Sequence, residues 1–339
     1  MAKYPKINYI GNKSKLADWI ISNMPINTGT VLDLFSGGAS VSYELKKQGF
    51  SVITNDSLYS NYILSKAIIE NSKDTLDASV FAINIPNSII TEKYNEISCY
   101  LTNVLYYDYE VRELARLIAI SETLANYHKF LFLALIRRAM IRKLPYSRMN
   151  VPWKQIQKLR DENYSYQKYG RKRAYHNQTF QSLMLADLQN YNESVFDNNQ
   201  KNVSYHKDSF DLVKDLKLKV DVIYMDPPYP KTMNKYGEFY GIYDKIFSQE
   251  INYENLSNEG TFLESFVDLI KMCLDKTNYI VISLNNKTFP SINELNEAIK
   301  QFGNTQILEK AHQYKVTNKE NKNKTVEQLL ILTVKREIG

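Results

Sequence analysis

The stretch TVLDLFSGG, residues 30–38, joins a short apolar run to a glycine turn, and a helical pattern follows it through Leu45. A second apolar run, SVITN at residues 51–55, ends at Asp56 and precedes another helical pattern over residues 59–71. Strands that alternate with helices in this way are typical of a parallel sheet with helices packed on it. We therefore predict an α/β fold with a doubly wound, mostly parallel, Rossmann-like sheet.

The same alternation returns towards the C-terminus. Strands are predicted at VSYH (203–206), VDVIYM (220–225) and YIVISL (279–284), with an amphipathic helix over residues 259–274. Two further β-like runs, residues 306–315 and 326–335, flank a polar loop and predict an antiparallel hairpin at one sheet edge. Between about residues 75 and 200 the alternation stops, and residues 112–140 are helical in pattern. We predict one domain from residues 1–74 and 201–339, and a largely helical inserted domain over 75–200.

Composition narrows the class of protein. The chain has 339 residues, of which 44% are hydrophobic and 24% charged, as in ordinary globular proteins. No run approaches 18 uninterrupted apolar residues, and the N-terminus lacks the apolar core of a signal peptide. Two cysteines and four scattered histidines offer neither a disulfide framework nor metal-ligand spacing. We therefore expect a cytoplasmic protein with no metal and no membrane partner.

Positive charge is concentrated in one segment of the predicted insert. Residues 129–175 contain 13 Lys and Arg and two acidic residues, which gives this segment a net charge of +11. The net charge of the whole chain is +6, so the remaining residues sum to about −5. Such a segment predicts a polyanion partner, because lysine and arginine bind phosphates and arginine also reads guanine edges. A solvated basic surface is the alternative. The candidate DNA contacts are Arg137, Arg138, Arg142, Lys143, Arg148, Lys154, Arg171, Lys172 and Arg173.

The tetrapeptide Asp226-Pro227-Pro228-Tyr229 directly follows the predicted strand 220–225, where α/β folds place ligand chemistry. The two prolines stiffen the loop. The Asp226 carboxylate and the Pro227 carbonyl could accept both N–H bonds of an aromatic amino group and aim its lone pair at a methyl donor. Tyr229 offers a flat face to a base flipped out of its duplex. The alternative is a rigid turn that ends a strand.

The glycine turn indicates a second ligand site. Gly37 lets the backbone approach a ligand, and the following helix presents its N-terminus, but the G-x-G-x-x-G fingerprint of dinucleotide binding is missing. Asp33 could hold the ammonium of an amino-acid moiety, which suits S-adenosylmethionine, and Phe35 belongs to the same motif. Asp56 ends the second strand and is a candidate for ribose hydroxyls; a helix N-cap is its alternative.

Further candidates for the same cofactor lie at other predicted turns. Asp208 could accept from the cofactor's adenine amino group with Phe210 beside the ring; a helix cap is the alternative role of Asp208. Lys13 follows a glycine turn and could neutralise the cofactor carboxylate; a solvated lysine is its alternative. Tyr9 stands in the same N-terminal motif.

These motifs together resemble those of the Dam-like DNA adenine-N6 methyltransferases. The set comprises YIGNK (9–13), DLFSGG (33–38), Asp56, KDSF (207–210), DPPY (226–229) and the closing hairpin, in the alpha order of amino-methyltransferases. The resemblance covers residues 1–72 and 202–335, and it implies a methyltransferase sheet with an inserted DNA-recognition domain. By the same resemblance, Lys13, Asp33, Asp56 and Asp208 contact S-adenosylmethionine, whereas Asp226 and Tyr229 handle the base. The family's N-terminal motif often has Trp where this chain has Tyr9.

The expected function is site-specific methyl transfer from S-adenosylmethionine to adenine N6 in double-stranded DNA, with the target base flipped out. A restriction–modification system with a cognate restriction endonuclease that acts at the same site is the expected context, beside phage or host DNA marking. Methylation of cytosine N4 is the nearest alternative, because both amino groups suit the same loop. RNA methylation and a catalytically silent DNA-binding specificity subunit are the others.

Overall fold

The computed structural model describes residues 2–170, 174–230, 235–312 and 325–335. Within them, seven strands form one sheet with the order β3-β2-β1-β4-β5-β7-β6. The strands are β1 (Thr30–Asp33), β2 (Ser51–Asn55), β3 (Val203–Tyr205), β4 (Val220–Met225), β5 (Thr277–Asn285), β6 (Gly303–His312) and β7 (Thr325–Val334). Strands β1 to β5 pair in parallel, whereas β7 is antiparallel to both β5 and β6. This confirms the predicted α/β fold and its C-terminal hairpin.

The helices described here are numbered in chain order: α1 (Ala17–Ser22), α2 (Ser40–Lys47), α3 (Tyr59–Ser65), α4 (Asn87–Leu101), α5 (Asp108–Thr123), α6 (Asn126–Arg142), α7 (Trp153–Arg160), α8 (Glu162–Tyr169), α9 (Phe180–Asn192), α10 (Ser209–Asp215), α11 (Tyr236–Tyr240), α12 (Ile242–Ile246), α13 (Phe262–Cys273) and α14 (Ile292–Ile299). A π-helical turn, Lys66–Glu70, continues α3, and short 3₁₀ turns cover Ala78–Ala82, Pro145–Ser147, Ala174–Asn177 and Lys300–Phe302. None of the described helices is long and apolar enough to cross a membrane.

The chain forms two compact units. The sheet unit consists of residues 13–57, 199–235 and 251–339, and it contains all seven strands. The helical unit consists of residues 1–12, 58–198 and 236–250. Residues 1–12 and 58–74, which we predicted to belong with the sheet, therefore cluster with the helical unit, as do residues 236–250.

The core of the sheet unit explains why its strands are so apolar. Residues such as Leu32, Ile223 and Ile280 are completely buried, because helices cover the central parallel strands. Helix α13 contributes Phe262 and Phe266 to this core. The ends of β1, β2 and β4, where the sequence motifs lie, are thereby fixed by a packed sheet.

The single helical pattern predicted over residues 112–140 is two helices in the structure. Helix α5 ends at Thr123, and α6 begins at Asn126. Leu124 and Ala125 have extended backbone angles, and Asn126 has a φ of 51°. Asparagine tolerates this left-handed conformation better than most residues, and the chain turns here without a glycine.

Candidate active site

The loop Asp226–Tyr229 begins where the central strand β4 ends. In the register of the sheet, Asp33 at the end of β1 lies opposite Tyr224 of β4, two residues before Asp226. Met225 lies opposite Ile282 of β5. The order β2-β1-β4-β5 reverses direction along the chain between β1 and β4, and α/β sheets bind ligands at such a switch point. The two predicted motifs therefore meet at one edge of the sheet.

Asp226 has a buried lysine and a buried glutamate as neighbours. The Lys13 Nζ lies 3.5 Å from the Asp226 Oδ1 and also forms an ion pair with Glu327, which is fully buried in β7. Burial raises the pKa of Asp226 to about 6, with Lys13 lowering it and Glu327 raising it. Lys13 is therefore not the solvated lysine of the alternative interpretation. The structure shows its ammonium at the predicted catalytic loop.

The remainder of the loop is fixed by hydrogen bonds. The Tyr229 N–H donates to the Pro227 carbonyl at 2.9 Å, which leaves that oxygen a second lone pair for another donor. The Tyr229 hydroxyl donates to the Ser283 carbonyl at 2.9 Å. The Tyr229 ring is 5% exposed and packs 5.5 Å from the ring of Phe262. The loop is thus rigid, and its tyrosine is anchored in the core of the sheet unit.

Asp33 is a buried carboxylate at the end of β1. The Ser42 hydroxyl of α2 donates to its Oδ2, whereas no described residue bonds its Oδ1. Burial raises the pKa of Asp33 to about 7; the Ser42 bond lowers it, Asp226 and Asp56 raise it further, and a backbone hydrogen bond from Phe35 lowers it. A buried carboxylate oxygen without a donor is costly, and an ammonium group would satisfy it. The side chain therefore fits the cationic end of an amino-acid moiety.

The glycine turn is held by Asp56. Gly37 has a φ of 50°, the left-handed conformation that glycine adopts at little cost, and its N–H donates to the Asp56 Oδ2 at 2.8 Å. Helix α3, which follows Asp56 in the chain, has Leu58 as its N-cap residue and no side-chain cap. Asp56 therefore does not occupy the N-cap position of α3. Its carboxylate orders the turn, and Phe35 packs partly buried against the core of the sheet unit.

Asp208 does form a helix cap. Its Oδ1 accepts from the Phe210 N–H at 2.8 Å, and its Oδ2 accepts from the Glu254 N–H at 2.9 Å. Of the two interpretations that the sequence left open, the cap is the one present in the structure. The carboxylate also lines an open cleft of about 560 Å³, whose walls are Asp208, Phe210, Asp211, Asn252, Tyr253, Glu254, Ser265 and Asp268.

Comparison with known proteins decides which chemistry this arrangement serves. A sequence model of the D12 class N6 adenine-specific DNA methyltransferases matches residues 9–316. The chain belongs to this family. The expectation of an adenine-N6 DNA methyltransferase, as opposed to an N4-cytosine enzyme or a silent specificity subunit, is thereby confirmed.

Individual relatives agree with the family. The methyltransferase is 42% identical to Type II methyltransferase M2.HphI of Haemophilus parahaemolyticus, over 97% of this chain and 98% of the relative. It is 25% identical to Modification methylase StsI of Streptococcus sanguinis, over 96% of this chain and 51% of that relative. It is also 28% identical to Type II methyltransferase M.FokI of Planomicrobium okeanokoites, over 66% of this chain and 34% of the relative.

Tyr9 of the methyltransferase is part of an aromatic cluster in the helical unit. Its ring stacks on Tyr236 at 5.5 Å and on Tyr240 at 5.1 Å, with interplanar angles of 10° and 19°. The Arg137 guanidinium lies 5.5 Å from the Tyr240 ring and 6.0 Å from the Tyr9 ring. This packing gives Tyr9 a role within the helical unit, and its cofactor contact stays a prediction.

The structure corrects part of the predicted DNA-binding set. Arg137, Arg138 and Lys143 are buried, with exposures of 1%, 7% and 1%. Helix α6 is buried around its whole circumference between Leu131 and Ile141. An acidic residue of α9 pairs with Arg138, and one of α5 pairs with Lys143, which follows α6. Charge counting along the chain cannot detect this burial. These three side chains are therefore structural and do not form an exposed phosphate-binding cluster.

Two buried ion-pair groups account for most of these charges. The Glu110 carboxylate accepts from both terminal nitrogens of Arg160 at 2.7 Å and lies 2.6 Å from the Lys143 Nζ. Asp187 lies 3.1 Å from the Arg138 Nε and 2.7 Å from the Arg142 Nη1. Arg142 therefore has a carboxylate partner as well, although its side chain is 23% exposed.

The remaining predicted DNA contacts differ in exposure. Lys154 is exposed on α7, as are Lys158 on the same helix and Lys168 on α8. Arg148 is half-buried, with its guanidinium 5.7 Å from the Tyr146 ring. Arg171, Lys172 and Arg173 lie outside the described residues. Among the residues that the structure does describe, no group of three or more His, Cys, Asp and Glu side chains is arranged to hold a metal.

Three residues around the two predicted motifs were not predicted from the sequence: Glu327, Ser283 and Ser42. Ser283 and Ser42 carry no distinctive pattern, because serine is common in such positions. Glu327 did leave a signal, since it is an acidic residue two positions before the apolar run LLILTV of β7. A carboxylate buried in an inner strand of a sheet has to be paired, and that pairing is what the structure shows.

Proposed function

We propose that this adenine-specific DNA methyltransferase takes its methyl group from S-adenosylmethionine, bound at the ends of β1 and β2. The observation that carries the proposal is the buried Asp33 Oδ1, which has no donor among the described residues and adjoins the catalytic strand. An ammonium group would fill that place. We assign the glycine turn at Gly37, with Phe35 and Asp56, to the same cofactor. We assign Asp208 and Phe210, which line the open cleft, to its adenine ring.

In this proposal, bound S-adenosylmethionine supplies an electrophilic methyl group on a sulfonium. The Asp226 carboxylate accepts one N–H of the target adenine, and the free lone pair of the Pro227 carbonyl accepts the other. These two acceptors favour a pyramidal N6 whose lone pair is free to form the new N–C bond as the C–S bond breaks. N6 then loses one proton, which Asp226 is placed to accept and pass to solvent. Pro228 stiffens the loop, and Tyr229 forms a wall for the flipped base.

We further propose that the predicted insert, residues 75–200, recognises the DNA. The exposed cations Lys154, Lys158 and Lys168 support this assignment, because they stand among aromatic side chains on one pair of short helices. The Lys158 Nζ lies 4.8 Å from the centre of the Tyr164 ring, and the Tyr166 ring is 59% exposed. Cations bind phosphates, and aromatic rings stack on bases. Arg148 and residues 171–173 extend this basic set along the chain.

The biological setting follows from a relative. M2.HphI is named a Type II methyltransferase and is similar to this chain along almost its whole length. We propose that the present enzyme likewise belongs to a restriction–modification system in the cytoplasm, where a cognate endonuclease acts at the same DNA site.

Nucleoside analysis of DNA from cells that express the protein tests this function. We expect N6-methyladenine to appear at one short sequence, located by sequencing that detects the modified base. Cells that express Asp226→Ala at the same protein level are the control and should give unmodified DNA. N4-methylcytosine in place of N6-methyladenine, or equal modification in the control, would contradict the proposal. Loss of modification in Asp33→Ala, with cofactor affinity measured by calorimetry, tests the donor separately.

A further inference from the structure

We propose that Glu327 of β7 is a positioning residue that holds the catalytic loop at both of its ends, an inference that rests on the proposed role of Asp226. Glu327 is fully buried, and it lies opposite Asn285 at the carboxyl end of β5. Because β7 is antiparallel to β5, the start of β7 reaches the sheet edge at which β1 and β4 end. A residue of the C-terminal hairpin thus belongs to the site.

The first connection runs through Lys13 to the start of the loop. Glu327 pairs through its Oε1 with the Lys13 Nζ, and the same ammonium lies 3.5 Å from the Asp226 Oδ1. A buried lysine side chain has a narrow choice of positions, and here it is shared by two carboxylates. Glu327 therefore limits how closely Lys13 can approach Asp226.

The second connection runs through Ser283 to the end of the loop. The Ser283 hydroxyl donates to the Glu327 Oε1 at 3.0 Å, and the Ser283 carbonyl accepts from the Tyr229 hydroxyl at 2.9 Å. One carboxylate oxygen therefore anchors both Lys13 and Ser283, which in turn contact the first and last residues of the DPPY loop. In the described part of the chain, the Glu327 Oε2 has no hydrogen-bond partner.

The electrostatic effects of the two neighbours on Asp226 are opposite. Burial raises the pKa of Asp226 to about 6; Lys13 lowers it, and Glu327 raises it. Among the described residues, the other ionisable groups that interact with this carboxylate are Asp33 of β1, Tyr224 of β4 and Tyr229. A proton acceptor works best when its pKa lies near the working pH. Glu327 thus keeps Asp226 basic enough to take the N6 proton, and Lys13 keeps it ionised at neutral pH.

The test is the pH dependence of single-turnover methyl transfer to duplex DNA, at saturating S-adenosylmethionine and DNA. Glu327→Gln should move the acid limb of the profile to lower pH, by about one pH unit, because a like charge is removed. Lys13→Met should move the limb to higher pH, because the opposite charge is removed. Glu309→Gln in β6 is the matched control. The Glu309 carboxylate belongs to the same hairpin but accepts from Gln328, so the acid limb of this variant should stay at the wild-type pH.

A role of Glu327 in folding alone would lower the yield or stability of Glu327→Gln without moving the acid limb, and that result would overturn the inference. So would shifts in the same direction for Glu327→Gln and Lys13→Met. If Glu327→Gln does not fold, Glu327→Met fills a similar volume without the charge and is expected to shift the limb the same way. Failure of the proposed function appears differently, as full activity of Asp226→Ala.

Discussion

Two carboxylates with raised pKa values stand side by side in this methyltransferase. Asp33 is the last residue of β1, and Asp226 follows the neighbouring strand β4. Burial raises the pKa of both carboxylates. Asp226 also raises the pKa of Asp33 through charge repulsion. Such a pair of buried carboxylates lowers the stability of the protein when no ligand is bound. The same pair attracts a cation. The binding of a positively charged methyl donor would relieve the repulsion that folding creates.

At the residue scale, Asp33→Asn should change how stability depends on pH. The folded pKa of Asp33, about 7, is above its ordinary value of 3.8, so the folded wild type binds the proton more tightly than the unfolded chain. Its contribution to stability is complete below pH 3.8 and is lost as the pH rises through 7. The unfolding free energy of Asp33→Asn, relative to wild type, should therefore rise between pH 5 and 8 by on the order of 2 kcal/mol.

Urea denaturation at several pH values, without cofactor, measures this difference. Asp268→Asn on the exposed face of α13 is the control and should follow the wild type. Calorimetry should show weaker S-adenosylmethionine binding for Asp33→Asn, by about 1.5–3 kcal/mol. A pH-independent difference in stability would show that the Asp33 carboxylate is not strained.

The residues that end strands were predictable from the sequence. The burial of charged residues in and after helix α6 was not. Asp33, Asp56 and Asp226 were identifiable because each follows a short apolar run, a local pattern that also fixes the place of the side chain at the sheet edge. The roles of Arg138 and Lys143 depend on Asp187 and Glu110, which are far away in the chain. No local pattern reports such a partner. The same limit concealed Glu327, whose partners Lys13 and Ser283 are distant in sequence.

At the scale of elements, helices α5, α6 and α7 are joined by one buried carboxylate. Glu110 of α5 binds Lys143, just after α6, and Arg160 at the end of α7. Although burial opposes ionisation, the hydrogen bonds from Arg160 and the charge of Lys143 prevail and lower the pKa of Glu110. The charges of these three buried side chains neutralise one another in part. The ion pairs connect the end of helix α7 to the interior of the helical unit.

Glu110→Gln should therefore destabilise the protein strongly. It leaves two buried cations without a counter-charge, a loss of about 3–5 kcal/mol in the free energy of unfolding. Asp108→Asn is the matched control on the same helix, because its ion pair with Arg112 is exposed, and it should leave stability close to wild type. Guanidinium denaturation of the three proteins provides the measurement, and equal midpoints for both variants would refute the structural role.

The exposed face of α7 and α8 gives the prediction for DNA binding. Replacement of Lys154, Lys158 and Lys168 by glutamine should weaken duplex binding and reduce the slope of log K against log salt, by about 0.9 for each phosphate that is no longer neutralised. Cofactor affinity should stay unchanged. Lys271→Gln with Lys300→Gln, two exposed lysines of the sheet unit, is the control. Fluorescence anisotropy with labelled duplex at several salt concentrations measures both quantities; an unchanged slope in the triple variant would identify these lysines as a solvated surface.

At the scale of the whole molecule, the chain passes repeatedly between its two compact units. The N-terminal segment 1–12 and the segment 236–250 after the DPPY loop both belong to the helical unit. The predicted bounds followed the alternation of strands and helices, and they divide the chain differently from the compact units. Periodicity reports whether a segment is helical or extended. It does not report against which core a helix packs. Helices α3, α11 and α12 were therefore predicted to belong to the sheet domain, because their neighbours in sequence do.

Catalysis by the whole chain is proposed to depend on the loop at the centre of the sheet, and Asp226→Ala tests that proposal. The carboxylate is proposed to bond more strongly as N6 becomes pyramidal, so its removal should lower the single-turnover rate about 10²–10³-fold. Affinity for DNA and for S-adenosylmethionine should change little, because neither ligand is held by this carboxylate alone. Retention of the full rate would refute the mechanism, and methyl transfer to cytosine N4 would contradict the adenine specificity of the family.

Substitutions of Tyr229 test separately the two functions proposed for this loop, methyl transfer and base flipping. Tyr229→Phe keeps the ring and removes the hydroxyl that donates to the Ser283 carbonyl, so most of the rate should remain. Tyr229→Ala removes the ring that packs on Phe262 as well, and it should lose both methyl transfer and stable base flipping. A fluorescent base analogue at the target position, followed beside the transfer of labelled methyl, reports the two steps independently. If Tyr229→Ala flips the base normally but transfers no methyl, Tyr229 orders Asp226 and is not a wall for the base.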